Sequence, residues 1–400
     1  MPTDLAEGST SNENTNKENA NGLQVTSGQP VRRETSIRLP EDHGAHLEQG
    51  IEWWYVTANL TNDSGETFGV QWTLFRTLMP SVSRQSQVIQ SQEIDVHNNA
   101  QAKIDSPWWD ENLYFSHFAI QHQQRHFAFE RFARAKQAEI ISEPFVAKID
   151  DWQLASTNTS FLPLALTANA KQDGEQYQVR LTLANSPITL HGDKGYSQKT
   201  ESGHASMYFS YPFLEVSGEL VFAGIKHQVT GNAWYDREWS ASLIDRNQLG
   251  WDWFSLVTDK NVAEDSGEKQ NSQDNRGLMV FCIRGNGKKS RQVDHQKGHP
   301  KEQQIDNSGY DYCSGSQIAA NGDNQQIAGR DIDIRALASV ELGGKQYPSK
   351  WRLTIADQAP IIIETVTKDA RNRLSIPYWE GRVTASGGFS GKGYAELTGY

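Results

Sequence analysis

Apolar and polar positions alternate with a period of two through residues 52–60, 67–78, 113–121, 177–183, 219–221 and 351–355. Residues two apart share one face of a strand, so each segment predicts a half-buried β-strand. Turn-forming clusters separate these segments: Asn62-Asp63-Ser64-Gly65, Lys171-Gln172-Asp173-Gly174 and Gly343-Gly344. Such short connections join antiparallel neighbours, so the chain reads as all-β antiparallel sheet. Helical spacing is scarce. Its best stretch, residues 127–140, fits two short strands equally well, and little helix is expected.

A chain of 400 residues exceeds one ordinary domain, and two are expected, residues 34–240 and 241–400, with the boundary near Ser240. Residues 1–33 are rich in Asn, Ser, Thr, Glu and Gly and predict a disordered tail, because they have little apolar surface to offset their ordering entropy. Two polar stretches near 261–277 and 286–308 predict surface loops inserted into the second half.

Only 36% of residues are apolar, yet there are 12 Trp, 13 Tyr and 15 Phe, so the buried surface must come largely from aromatic rings. A net charge of −11 argues against a nucleic-acid partner, whose binding depends on Lys and Arg neutralising phosphates. No apolar run approaches the roughly 18 residues of a membrane-spanning helix. Nor does the sequence open with a basic stretch followed by an apolar one, as an export leader would. Cys282 and Cys313 flank the second polar stretch and are read as two reduced strand thiols, since two cysteines make no disulfide framework.

Aromatic and acidic residues crowd together in Glu52-Trp53-Trp54-Tyr55, residues 231–239 (GNAWYDREW) and residues 250–254 (GWDWF). On a strand, Trp234, Asp236 and Glu238 face one way, and Tyr235, Arg237 and Trp239 the other. Likewise Trp251 and Trp253 oppose Asp252, while Trp53 and Tyr55 oppose Glu52 and Trp54. A carboxyl among indoles loses water, which raises its pKa and makes it a proton donor near neutral pH. Two readings of Asp236 stay open. Either repulsion from Glu238 keeps one of the pair protonated, or Arg237, Arg76 or Arg131 neutralises Asp236 in a structural ion pair.

His43 and His46, near Glu48 and Glu52, precede the first strand and read as caps at a barrel mouth; no metal is expected. His117 reads as a core histidine. The chain contains no GxSxG nucleophile elbow, and the glycine-rich residues 387–394 read as a hairpin turn rather than a phosphate loop.

The segments DHGAHLEQGIEWWYVTANL (residues 42–60), FGVQWTLFR (68–76), YFSHFAI (114–120), GNAWYDREW, GWDWFSL, YWEG and GYAELTGY occur in order along residues 37–400 and resemble the carotenoid 1,2-hydratase/AttH family. The resemblance implies two tandem lipocalin-like β-barrels with a pocket for a hydrophobic small molecule. It also implies hydration, isomerisation or cyclisation of polyene or terpenoid-like ligands with no cofactor. Asp236 matches the implied proton donor, with Glu238 beside it. The resemblance also implies an upstream His, for which His204 is the nearest. The expected ligand walls are Trp54, Tyr55, Tyr208, Trp234, Tyr235, Trp251 and Trp253. Where relatives carry His after the Asp, this chain has Arg237. A periplasmic or secreted protein is implied if a leader has been removed, and a cytoplasmic one otherwise. The alternative functions are lipophile binding without catalysis and an accessory role in a membrane transporter complex.

Overall fold

A computed structural model describes residues 28–79, 110–242, 248–258, 276–285 and 309–400. The first sheet comprises β1 (Ile51–Asn62), β2 (Thr67–Leu78), β3 (Asn112–His122), β4 (Arg125–Arg134), β5 (Ala138–Ser142), β6 (Phe145–Ile149), β7 (Trp152–Ser156), β8 (Leu164–Gln172), β9 (Glu175–Ala184), β10 (Thr189–Leu190), β11 (Tyr196–Gln198), β12 (Ala205–Phe222) and β13 (Ile225–Ser240). The second comprises β14 (Gln248–Thr258), β15 (Gly277–Gly285), β16 (Tyr310–Ile318), β17 (Asn324–Ile327), β18 (Ile332–Leu342), β19 (Lys345–Ile355), β20 (Ile361–Thr365), β21 (Arg371–Asn372), β22 (Tyr378–Gly387) and β23 (Gly391–Leu397). All pairings are antiparallel.

The first sheet runs β4-β3-β2-β1-β13-β12-β9-β8-β7-β6-β5, so its two edges are consecutive in the chain and curl into a nearly closed barrel. The second runs from β17 through β14, β23 and β22 to β18 as a half-barrel. Tight turns fix the hairpins: Asp173-Gly174 and Gly343-Gly344 all have positive φ, the conformation a two-residue hairpin demands. Residues 127–140 form the end of β4, a short 3-10 turn and the start of β5, because their alternation belongs to two strands.

The first barrel is filled. Trp54, Trp72, Trp152, Phe118 and Tyr235 pack in its interior with aliphatic residues from most of its strands. A second core, with Trp351 and Trp379, lies inside the half-barrel. A third cluster lies between the sheets and joins Tyr55, Tyr208, Phe213 and Trp234 to Trp253, Phe281 and Tyr394.

Two sequence expectations need correction. Residues 28–33, assigned to the tail, are docked: Gly28 N donates to Ala241 O at 2.8 Å, Gln29 N to Glu48 O at 2.9 Å, and Val31 packs on the first core. The rest of the tail and most of the two polar stretches, residues 259–275 and 286–308, lie outside the described residues. Cys282 and Cys313 are not free thiols. They face each other across β15 and β16, with Cα atoms 4.1 Å apart, and form a disulfide. Thirty-one residues separate the two cysteines, and closing such a loop stabilises a fold by roughly 3–4 kcal/mol. Reduction is therefore expected to lower the denaturation midpoint, and Cys282→Ala/Cys313→Ala to reproduce the loss without reductant; urea titration with and without dithiothreitol measures both.

Candidate active site between the barrels

The outer faces of β1, β12 and β13 pack against β14, β15, β22 and β23, and buried carboxyl groups concentrate at this contact. A bulge on β12 shapes it. Between Tyr211 and Leu214 the register with β13 shifts, so Tyr211 and Leu214 both enter the barrel core while Phe213 turns out to the interface. Pro212 at this point withholds no ladder hydrogen bond that a regular strand would need.

Asp236, only 3% exposed, lies at the centre. Ser210 Oγ and Trp234 Nε1 both donate to its Oδ1, the latter at 2.6 Å. Tyr208 adds a further side-chain hydrogen bond. With two donors on Oδ1, a proton carried by this acid would sit on Oδ2. Burial pushes the acid up to about 7, and the charge on Glu238 adds to this, while the bonds from Ser210, Trp234 and Tyr208 offset part of the rise. Behind Ser210 stands His191. Its Nε2 lies 2.7 Å from Ser210 Oγ, and its Nδ1 lies 3.0 Å from Ser316 Oγ of the second sheet. Burial, aided by the Lys199 charge, drops the His191 imidazole to about 3, so it is neutral and serves as a hydrogen-bond link.

The nearby cations are engaged elsewhere. Lys199 Nζ binds Glu238 Oε1 at 2.8 Å, and Ser206 donates to the same oxygen, so Glu238 is an ion-pair partner rather than a second donor. Arg237 points into the first barrel, where it bonds Glu52 and stacks 4.1 Å over Trp54. Arg76 holds the other oxygen of Glu52. Burial pushes the Glu52 carboxyl up, but Arg237, His46 and Arg76 outweigh it and hold it well below the usual carboxylate range. Arg131 pairs with Asp150 and Asp151. None of the three arginines weighed from the sequence is placed on Asp236, because alternation sends Arg237 to the opposite face of β13 and Arg76 and Arg131 hold other acids.

The second sheet supplies two acids that sequence reasoning missed. Glu380 and Glu396 are directly opposed on β22 and β23. Trp251 Nε1 donates to Glu396 at 2.6 Å, and Tyr55 OH donates to Glu380. Burial, offset by Trp251 and reinforced by Glu238, puts Glu396 at about 7. Burial and Glu396 raise Glu380 well above the carboxylate range. A signal was present: Tyr378-x-Glu380 and Tyr394-x-Glu396 repeat the aromatic-x-acid spacing of Trp234-x-Asp236, which puts ring and carboxyl on one face.

These raised acids have a consequence for stability. Between the unfolded value of 3.8 and the folded value of about 7, Asp236 binds a proton only in the folded state, and Glu396 does so between 4.5 and about 7. Their contribution is therefore complete below about pH 4 and lost as pH rises through 7. Urea midpoints should decline across this window, and Asp236→Asn/Glu396→Gln should flatten the decline; an unchanged slope would remove both from the raised set.

Other predicted site residues are placed differently. Tyr55, Tyr208, Trp234, Trp251 and Trp253 face the interface; Trp54 and Tyr235 face the filled interior of the first barrel, since they occupy alternate positions on β1 and β13. His204 does not reach Asp236. It precedes β12, six residues from Ser210 or about 20 Å along a strand, and its Nε2 lies 3.1 Å from Ser242 Oγ. His191, just after β10, is the histidine that stands next to Ser210 and so nearest to Asp236 in the hydrogen-bond chain. His43 stacks on Phe161 at 3.6 Å and His46 on Trp239 at 3.9 Å, at one end of the first barrel. His117 is buried in the interface with Nδ1 2.9 Å from Tyr378 OH. Among the described residues no cluster of three His, Cys, Asp or Glu is arranged to hold a metal.

A shallow groove with about 20 Å3 of enclosed space, open to solvent, lies between the sheets and is lined by Trp234, Thr57, Asn59, Tyr394 and Lys392. Trp234 forms part of its wall and carries the indole N–H bound to Asp236.

Two curled antiparallel sheets packed face to face, with carboxyl groups between them, define a protein of tandem lipocalin-like barrels. Residues 30–299 and 301–400 match the AttH-like family, and the chain belongs to it. It is similar to a solved structure from Nitrosomonas europaea, described as a candidate AttH, at 27% identity and a TM-score of 0.69, covering 93% of this chain and 99% of that one. The structure of kievitone hydratase from Nectria haematococca shares the fold at 15% identity and a TM-score of 0.59, covering 93% and 95% of the two chains. No curated protein matches this chain.

Proposed function

We propose that the protein is a cofactor-free hydratase, isomerase or cyclase of lipophilic alkenes, with Asp236 as the proton donor at the interface between its barrels. The carrying observation is a buried carboxylic acid pushed up to about 7 with no cation bound to it, adjoining a groove through Trp234. In the step, the Asp236 O–H bond breaks and its proton forms a C–H bond with one alkene carbon, leaving a carbocation on the other. Indole faces stabilise such a cation by roughly 0.5–2 kcal/mol each, and Trp234, Trp251 and Trp253 stand at the interface. The Asp236 carboxylate left behind is stabilised by the bonds from Ser210, Trp234 and Tyr208. Addition of water and loss of its proton completes a hydration; loss of a proton from a neighbouring carbon completes an isomerisation.

One observation favours lipophile binding without turnover: the groove beside Trp234 is shallow and open, so it does not enclose a reacting alkene away from water. Incubation with a panel of terpenoid, polyene and unsaturated acyl compounds, followed by mass spectrometry and chromatography, separates the readings. Gain of one water or a new isomer with the wild type, absent with Asp236→Asn, supports the enzyme; retention without conversion supports the binding protein.

A further inference from the structure

Arg382 on β22 is 3% exposed, and its Nε and Nη2 are buried with no hydrogen-bond partner. Among the described residues no carboxylate pairs with it, although a guanidinium stripped of both water and counter-ion is among the most costly groups a fold can bury. Other buried cations of the protein differ. Arg76 and Arg237 share Glu52, and Lys199 takes Glu238. The sequence makes room for Arg382: a Cβ on Gly69 would meet its Cδ at 2.8 Å and the Tyr394 hydroxyl at 2.5 Å, so a bare glycine lets both side chains lie on β2. Tyr394 also lines the groove with Trp234, and Arg382 lies beside the Tyr394 hydroxyl over Gly69, behind the lining itself.

We propose that Arg382 binds the carboxylate of the ligand, so that the protein acts on lipophilic carboxylic acids whose reacting double bond lies well along the chain. This deepens the alkene-protonation reading and rests on it. The register sets the span. Asp236 pairs with Tyr55 and Gly69 with Asn59, so the acid and the glycine beneath Arg382 are separated by four residues along β1 and two strand spacings across it, about 16 Å. A long-chain unsaturated or terpenoid acid bridges that distance, with its chain along Tyr394 and Trp234. The planar guanidinium meets a carboxylate in a charge-assisted, two-point contact that an ester cannot make.

The test compares cis-parinaric acid, a fluorescent polyene fatty acid, with its methyl ester on the full chain. Wild-type protein is expected to bind the acid at least about tenfold more tightly than the ester. Arg382→Met should erase that preference by weakening the acid alone, and without ligand it should melt at the wild-type temperature or above, because it removes an unpaired buried charge. Equal binding of acid and ester by the wild type overturns the proposal while leaving an apolar site in place. So does an Arg382→Met variant that keeps the preference, or one that melts many degrees lower without ligand, since Arg382 would then have a structural partner. Failure of both probes to bind removes the apolar site itself, and the proposal with it.

Discussion

Glu52→Ala is expected to cost about 3–5 kcal/mol of stability, the largest loss of any single substitution considered for this chain. Glu52 is fully buried between Arg76 and Arg237, with one oxygen on each guanidinium, and His46 N donates to both oxygens at 3.0 and 3.1 Å. Removing the carboxylate strands two buried positive charges at one end of the first barrel. Urea denaturation at pH 7 measures the loss directly. The same group fixes the acid limit of the fold. Its folded pKa is depressed, so its contribution is complete above the unfolded value of 4.5 and lost as pH falls toward the folded one. A loss of less than about 1 kcal/mol would mean that Glu52 does not hold Arg237.

Asp236→Asn should leave fold and ligand binding intact and lower turnover of an alkene substrate by at least about a hundredfold. The amide keeps a carbonyl oxygen for Ser210 and Trp234 but has no transferable acidic proton. Wild-type turnover should also fall as pH rises through about 7, because the reaction requires the protonated form. Ser210→Ala is expected to act more mildly and through Asp236, raising the pH at which activity is lost, since Ser210 favours the ionised carboxyl. A variant that turns over at the wild-type rate would reduce Asp236 to a packing residue.

Local rules carried the sequence reading a long way. Alternation and turn chemistry are properties of adjacent residues, so the strands, the Gly343-Gly344 hairpin and the two faces of β13 were legible. The opposite directions of Asp236 and Arg237 followed from the same period of two. What escaped depended on which sheet faces meet. Ser210 and His191 reach Asp236 only through the pairing of β10 and β13 with β12, and Ser316 only through contact between the sheets. Glu396 and Glu380 come from strands more than a hundred residues away. His204 does not reach Asp236, because proximity in sequence stood in for register. The disulfide required knowing that β15 and β16 pair with Cys282 opposite Cys313.

The claim at the centre is a neutral Asp236 carboxyl, and infrared difference spectroscopy of wild type against Asp236→Asn tests it most directly. Subtraction isolates this group from Glu380 and Glu396, which also absorb as buried acids. The expected result is a protonated-carboxyl carbonyl band present at pH 5 that disappears with a midpoint near 7, matched by a rising carboxylate band. A carboxylate band already complete at pH 5 would contradict it: Asp236 would be an ordinary ionised aspartate, unable to protonate an alkene.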